Sequence, residues 1–330
     1  MSRHLALVVE QAGAALEAGT HETLVLVNAA GRRERVGLRA LGSVILQGAV
    51  KFDTGVLQAL TSHNVALSVL TRAGRSPALG FTPLPHRHVC LRHRQHLAYA
   101  DPTRRLALAR AVLVAKLEAM ARFAREHAPD SETAQYQAMR AACEASDIQA
   151  LMGVEGAATA RHFAALAALY ARAGDFDFDG RSRRPPQDAP NALMSLSYTL
   201  ALSLAIQVAL QAGLDVQLGF LHALHRDRDS LALDLIEPAR AELDAWVHDL
   251  LVSRQLLRPA LFAPAADGAL WLTKEGRSLF YPAWFREGHR ITLPPMRRLL
   301  AQMLGGLRQM LPPGEYDADS LDAEGEADCA

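Results

Sequence analysis

Residues 104–127 have the sequence RRLALARAVLVAKLEAMARFAREH, and this stretch decides the fold class. Apolar residues recur in it at spacings of three and four, with arginine, lysine and glutamate between them, as is typical of an amphipathic helix. The same pattern continues over residues 131–173, 190–213, 230–257 and 294–311. We therefore predict that most of the chain is a helical bundle.

The sequence before about residue 95 has a strand pattern instead. Short runs rich in valine, leucine and isoleucine, separated by turns, are found at residues 24–28, 34–38, 43–48 and 65–71. Between the last two runs, DTGVLQALTSHN (53–64) favours a crossover helix with Asp53 or Thr54 as its cap. The sequence thus predicts an α+β fold with two domains, a small N-terminal β-sheet domain and a larger C-terminal all-helical domain.

The domain boundaries follow from the change of pattern. We assign the β domain to residues 1–82 and the helical domain to residues 97–313. Between them, PLPHRHVCLRHRQH (83–96) contains proline and is dense in histidine and arginine, which suits a linker between domains. Residues 314–330 form an acidic tail that we expect to be disordered.

The composition excludes several classes of protein. The chain has 330 residues, of which 50% are hydrophobic, so it can bury a core and is not disordered as a whole. Its three cysteines (Cys90, Cys143 and Cys329) form no CxxC pair, which argues against a disulfide framework or a zinc knuckle and favours a reducing compartment. The N-terminus lacks a signal-peptide pattern, and the apolar run at 193–214 contains serine, threonine, tyrosine and glutamine. We therefore expect a cytoplasmic protein without a membrane span.

The balanced net charge hides a basic body and an acidic tail. Basic and acidic residues number 35 each, but seven acids and no base lie in residues 314–330, so the rest carries a formal charge of +7. Of the 35 bases, 32 are arginines, whose planar guanidinium binds phosphate through two hydrogen bonds. The composition is therefore compatible with a phosphate-rich partner. The acidic tail is either simply solvated, or it competes with nucleic acid for binding to the basic part of the chain.

Polar residues within the apolar helical sequence are the candidates for function, because burying a polar group without a partner costs free energy. Glu155 lies between Gly153 and Gly156. Either a helix starts there, with the carboxylate favourably placed on the helix dipole, or another group approaches the backbone closely. His222 ends a short apolar run and His225 follows three residues later, and single histidines of this kind are more often core or boundary residues than ligands.

A pair of acids completes the set of candidates. Asp234 and Glu237 are three residues apart in SLALDLIEPAR (230–240), so on a helix they share one face and repel unless a cation lies between them. Salt bridges or caps are the alternative, and the available partners are Arg226, Arg228 and Arg240.

Together, the three acids and one imidazole form a hard donor set of mainly oxygen atoms. Such a set suits Mg²⁺ or Mn²⁺ better than zinc and fits phosphodiester chemistry.

Several segments, taken in order, resemble the CRISPR-associated adaptation integrases, the metal-dependent nuclease-like subunits that insert new spacers into CRISPR arrays. The segments are LMGVEGAAT (151–159), FDGRSRRPPQDAPNALMSLSYTL (178–200), GFLH (219–222), SLALDLIEPAR (230–240) and the run from Gln95 to Lys116. No single motif is decisive, but the ordered set is specific, and the resemblance covers nearly the whole chain apart from the acidic tail.

The resemblance implies roles for individual residues. Glu155, His222 and Glu237 would be the metal ligands. Asp234 would either support these ligands or act as an additional catalytic carboxylate. Tyr198 matches an aromatic position that the family keeps near the site, which implies a catalytic or DNA-positioning role.

Three arginines in the long loop before residue 190 belong to the same family pattern, and we expect them to contact DNA phosphates. They are Arg181, Arg183 and Arg184.

The resemblance also implies an assembly and a reaction. The β domain would mediate homodimerisation and the helical catalytic domain would hold Mg²⁺ or Mn²⁺. A dimer would bind each end of a small companion adaptation protein, itself a dimer, to form a heterohexamer. The 3′-hydroxyl of a double-stranded DNA fragment would attack a phosphodiester at the CRISPR repeat boundary. The alternatives are a catalytically silent DNA-binding scaffold of the same fold and a general metal-dependent DNase.

Overall fold

The structure is a computed structural model. It describes residues 5–10, 12–63, 65–70, 77–81, 89–174, 176, 178–182, 185–226, 228–265 and 268–309. Within these residues, a small β region is followed by a mainly helical region, so the predicted fold class is confirmed.

The N-terminal region contains two sheets. One sheet has the order β1-β5-β6-β7, in which β1 and β6 run parallel to β5 and β7 runs antiparallel to β6. The other is the antiparallel meander β2-β3-β4. The strands are β1 (Leu5–Val9), β2 (Ala15–Gly19), β3 (Thr23–Val27), β4 (Arg33–Gly37), β5 (Leu41–Gln47), β6 (Ala66–Leu70) and β7 (Pro77–Phe81).

Helix α1 (Thr54–Ser62) connects β5 to the parallel strand β6, as the predicted crossover requires. Asp53 caps it by accepting a hydrogen bond from the backbone of Val56 at 3.1 Å. The four predicted strands correspond to β3, β4, β5 and β6, whereas β1, β2 and β7 were not predicted.

The predicted linker is partly helical. Helix α2 (Val89–Ala100) covers residues 89–96, so this part of the connection is not a loop, and residues 83–88 lie outside the described residues. Helix α2 thus begins within the predicted linker. The predicted domain boundaries stay predictions.

Helix α3 (Pro102–His127) is the central helix of the second region and contacts α2, α4, α5, α8 and α10. Its buried face includes Val112, Leu113 and Leu117, none of which is exposed to solvent. The other helices are α4 (Glu132–Glu144), α5 (Ile148–Ala173), α6 (Ala189–Gln211), α7 (Ser230–Ile236), α8 (Arg240–His248), α9 (Lys274–Ala283) and α10 (His289–Arg308).

Two helical stretches are divided where the sequence pattern predicted continuity. Residues 131–173 form α4 and α5, and Asp147 caps the second of these helices. In residues 230–257, a 3₁₀ turn (Glu237–Ala239) with Pro238 at its second position separates α7 from α8. A short antiparallel hairpin, β8 (Phe262–Pro264) and β9 (Leu270–Leu272), lies within the otherwise helical region.

Helix α6 is long and apolar enough to cross a membrane by length and composition alone, and half of its most apolar window is buried in this structure. It packs against α7, α8 and α10 and carries the buried residues Leu193, Leu200 and Ala205. This arrangement agrees with the prediction of a buried core helix.

Replacement of Leu113 by alanine tests the packing of α3. The Leu113 side chain is fully buried, and its truncation leaves a cavity, so we expect the free energy of unfolding to fall by about 3 kcal/mol. Urea unfolding followed by circular dichroism measures the change. Leu279→Ala is the control, because that side chain is 40% exposed, and it should change stability by less than about 1 kcal/mol. Equal effects of the two variants would contradict this packing.

Candidate metal centre

Two carboxylates and one ammonium group meet inside the helical region. Lys116 extends from α3, Glu155 from α5 and Glu237 from the 3₁₀ turn after α7. Nζ of Lys116 donates a hydrogen bond to Oε1 of Glu155 and lies 2.7 Å from Oε2 of Glu237. The side chains of Lys116 and Glu237 are 5% and 3% exposed, whereas that of Glu155 is 21% exposed. The cluster thus lies at the edge of the core, with Glu155 as its more accessible acid.

Glu237 is surrounded by basic groups. Nε of Arg240 donates a hydrogen bond to its Oε1 at 2.8 Å, and Nε2 of His222 lies 4.0 Å from the same oxygen. Burial alone would raise the pKa of the Glu237 carboxyl, but the charges of Arg240 and Lys116 outweigh burial and hold the pKa well below its ordinary value of 4.5. Glu237 is therefore ionised at neutral pH. The pairing with Arg240 also confirms one of the salt bridges that the sequence left open.

Glu155 lies in the interior of α5, so the prediction that a helix starts at this point is wrong. The helix starts at Ile148, where Asp147 accepts a hydrogen bond from the backbone of Ala150 at 2.8 Å. At Gly153 and Gly156, no atom in the described part of the chain would lie within 4 Å of an added Cβ, apart from neighbours and the helix's own backbone. Within the described chain, no close approach therefore explains the two glycines.

Asp234 organises the loop that carries His222. Its carboxylate accepts backbone hydrogen bonds from Phe220 at 2.6 Å, Leu221 at 3.1 Å and His222 at 3.0 Å. Nδ1 of His222 lies 2.7 Å from Oδ1 of the same carboxylate. Asp234 is fully buried and supports the imidazole from behind. Its role as an additional catalytic carboxylate stays a prediction.

Two further features fix this loop. A Cβ at Gly219 would lie 2.6 Å from the backbone of Ser230, so only glycine allows the loop to pack against the start of α7. The buried side chain of Gln95 donates hydrogen bonds to the carbonyls of Asp215 and Leu218, each at 2.9 Å, and accepts one from the backbone of Asp215 at 2.8 Å. The loop therefore presents His222 from a rigid support.

Tyr198 lies in the interior. Its hydroxyl donates to Oδ1 of Asp244, whose Oδ2 lies 2.8 Å from Nε2 of the buried His162. The guanidinium of Arg240 lies over the Tyr198 ring, 4.5 Å from its centre. Tyr198 packs against the arginine that pairs with Glu237. Its predicted catalytic or DNA-positioning role stays a prediction.

Arg181 is engaged with its own loop. Its guanidinium donates to the carbonyl of Ser182, to Oδ1 of Asn191 at 2.8 Å and to Oγ of Ser195 at 2.9 Å. These contacts anchor the loop to the start of α6, and the expected phosphate contact of Arg181 stays a prediction.

Other predicted polar residues lie elsewhere. Arg183 and Arg184 lie outside the described residues, and their predicted DNA contacts stay predictions. His225 is exposed, with Nδ1 2.7 Å from the carbonyl oxygen of Arg226, and it makes no contact with the cluster within the described chain.

The sequence interpretation missed Lys116 as a member of the cluster. One signal was available, since the spacing from Val112 and Leu113 places this lysine on the apolar face of α3. Asp244 and His162 gave no such signal, because their pairing depends on how α8 packs on α5.

Two of the predicted metal ligands, Glu155 and Glu237, meet at the ammonium group of Lys116, and the third, His222, lies 4.0 Å from the other oxygen of Glu237. Within the described residues, no three histidine, cysteine, aspartate or glutamate side chains are arranged to hold a metal ion. The chemistry of the donors nevertheless fits Mg²⁺ or Mn²⁺, because two carboxylates and one imidazole are present. In addition, Oε2 of Glu237 is buried without a well-directed hydrogen bond, although Nζ of Lys116 lies 2.7 Å away. Metal binding by these three residues therefore stays a prediction.

Fold and site define a class of protein. The class is an α+β protein whose helical region brings two acids from separate elements to one ammonium group, with an imidazole near one of the acids. The family model described as CRISPR associated protein Cas1 matches residues 7–286. The chain belongs to this family, and the predicted family is confirmed.

Relatives and solved structures agree with this membership. The chain is 33% identical over 270 residues to "CRISPR-associated endonuclease Cas1 2" of Rhodospirillum rubrum, covering 77% of each protein. It is 34% identical over 266 residues to "CRISPR-associated endonuclease Cas1 3" of Thermus thermophilus, covering 80% of this chain and 79% of the relative. A CAS1 protein from Thermotoga maritima has a similar fold, with a TM-score of 0.78 at 24% identity over 95% of this chain and all of that chain. A casposase bound to integration product gives a TM-score of 0.79 at 18% identity, covering 95% and 94% of the two chains.

Replacement of Asp234 by asparagine tests the support of His222. The neutral side chain keeps the shape but turns an amide N–H towards backbone N–H donors, so we expect a loss of about 3 kcal/mol in the free energy of unfolding. Urea unfolding measures the loss. Asp130→Asn, at an exposed position, is the matched control and should be nearly neutral. An equally small effect of Asp234→Asn would show that the carboxylate does not hold the loop.

Proposed function

We propose that this protein is a metal-dependent DNA endonuclease and integrase that inserts new spacer DNA into a CRISPR array by transesterification. Membership of the Cas1 family and the endonuclease names of its relatives support this function. The observation that carries the proposal is the meeting of Glu155 and Glu237, from separate elements, at the ammonium group of Lys116. Nε2 of His222 lies 4.0 Å from the other carboxylate oxygen of Glu237.

Glu155, His222 and Glu237 would hold Mg²⁺ or Mn²⁺ in this function. The ion, when bound, would polarise the phosphoryl oxygen and lower the pKa of the attacking 3′-hydroxyl. Carboxylate oxygens and one imidazole nitrogen match the preference of such ions for hard ligands.

The surrounding residues prepare these ligands. A proton on Nδ1 of His222, donated to Asp234 at 2.7 Å, leaves the lone pair of Nε2 free on the side of Glu237. Arg240 holds Oε1 of Glu237, and the packing of its guanidinium on Tyr198 fixes this arginine in turn. The geometry of the ligands is thus set by hydrogen bonds before a metal ion arrives.

The partners in this function would be double-stranded DNA, a second copy of the chain and a small companion adaptation protein. Two structural neighbours support the companion, since they are complexes described as containing Cas6-RT-Cas1 and Cas2, the first with a TM-score of 0.74 at 16% identity. We propose a heterohexamer, with a homodimer at each end of the companion, that acts in the prokaryotic cytoplasm.

Replacement of Glu155 by alanine is expected to abolish Mn²⁺-dependent strand transfer while leaving DNA binding nearly intact. Loss of one carboxylate removes a metal ligand, and the loss of rate should be at least a hundredfold. A half-site integration assay, with and without the companion protein and in Mn²⁺ or EDTA, measures the rate. Glu118→Ala, which removes an exposed glutamate from α3, is the control.

The same assay separates the rival functions. Strand transfer by Glu155→Ala at the wild-type rate would contradict the ligand assignment. A wild-type protein that binds DNA but shows no metal-dependent cleavage would be a scaffold, and one that degrades linear duplex without repeat preference would be a general DNase.

Replacement of both Arg183 and Arg184 by alanine tests the proposed DNA contacts of the long loop. If each arginine neutralises one phosphate, DNA binding weakens and the slope of log K against log salt falls by about 2. Fluorescence anisotropy over a salt series measures this slope. Arg32→Ala with Arg35→Ala removes the same charge from the N-terminal sheet region and should leave the slope nearly unchanged. An unchanged slope in the loop variant would remove these arginines from the interface.

A further inference from the structure

Lys116 is buried, whereas Lys51 and Lys274 are exposed. The Lys116 side chain is 5% exposed on a face of α3 that otherwise packs in the core. A buried ammonium group is tolerated only when it is paired, because removal of its hydration shell is costly. Both of its ion-pair partners, Glu155 and Glu237, are proposed metal ligands. The lysine therefore occupies the position that the metal ion would need.

The carboxylate oxygens that face this position are already in use. Oε1 of Glu155 accepts hydrogen bonds from Nζ of Lys116 and, at 3.0 Å, from Oγ1 of Thr159. On Glu237, Oε1 is held by Arg240 and Oε2 faces Nζ of Lys116. A divalent cation bound to both carboxylates would lie within a few ångströms of the ammonium group, at about the length of a metal–oxygen bond from the same oxygens. The two cations would compete for the same lone pairs and repel each other.

We infer that Lys116 is a built-in counter-cation that holds Glu155 and Glu237 together and that a divalent metal ion must displace. The inference rests on the proposed metal-dependent function and adds a regulatory property to the same site. In this role Lys116 is a positioning residue, because it keeps two like charges at the separation the metal requires. It also raises the metal concentration needed for binding, since the metal ion must break both ion pairs of Lys116 before it binds the carboxylates.

The lysine content of the chain makes displacement measurable. Only three lysines are present, Lys51, Lys116 and Lys274, and the first and last are exposed. In the full-length wild-type protein, acetylation by acetic anhydride can be followed for each lysine by quantitative mass spectrometry. In EDTA we expect Lys116 to be strongly protected relative to the other two. In saturating Mg²⁺ we expect its modification rate to rise at least fivefold, while Lys51 and Lys274 stay unchanged.

Replacement of Lys116 by methionine tests the competition directly. Methionine fills a similar volume without charge, so the variant should bind Mn²⁺ about tenfold more tightly than wild type. Titration with electron paramagnetic resonance detection of free Mn²⁺ measures the dissociation constant. In EDTA the variant should melt at a lower temperature, because two buried carboxylates lose their cation, and Mn²⁺ should raise its melting temperature more than that of wild type. Lys274→Met removes the same charge at an exposed position and is the control.

The outcomes separate this inference from the proposed function. Unchanged or weaker Mn²⁺ binding in a folded Lys116→Met variant would overturn the inference. If that variant does not fold, protection of Lys116 that is equal in EDTA and in saturating Mg²⁺ would overturn it. Failure of the wild-type protein to bind Mn²⁺ at all would instead overturn the proposed metal-dependent function.

Discussion

The buried ion pairs of Lys116 with Glu155 and Glu237 are the constraint on which the helical region depends. An unpaired charge at this depth would cost about 3–5 kcal/mol, so α3, α5 and the turn after α7 must keep their relative positions. The apolar packing of Leu113 and Leu117 stabilises the helical region, and the ion pairs join α3, α5 and the turn after α7 at one point. Stability and site geometry are thus set by the same contacts.

Further polar contacts hold the residues around these ion pairs. Asp234 fixes His222 through its backbone and its ring, Gln95 secures the preceding loop, and Arg240 joins Glu237 to Tyr198. Asp234, Gln95 and Arg240 thus each pair with a polar group, which matters in an interior of low dielectric constant. The predicted ligands His222 and Glu237 therefore belong to a network of hydrogen bonds.

The helical region could be predicted from sequence because apolar residues recur at spacings of three and four within each helix, without reference to distant parts of the chain. Strands β1, β2 and β7 were missed, since their formation depends on pairing with β5, β3 and β6 more than on their own pattern. The acids and the histidine of the site were found by their polarity and by a family resemblance. Contacts made by tertiary packing could not be found in this way, which explains why the ion pairs of Lys116 and the hydrogen bond of Tyr198 to Asp244 were missed.

The 3₁₀ turn from Glu237 to Ala239 has a consequence for how this part of the chain can vary. It sets the rotation of α8 relative to α7, and therefore whether Arg240 reaches Glu237 and Asp244 reaches His162. Each residue of a helix advances the direction of its side chain by about 100°. Insertion or deletion of one residue between Asp234 and Asp244 would turn these side chains away, even if every amino acid type were kept. The length of this segment therefore sets the geometry of the site as much as the identity of its residues does.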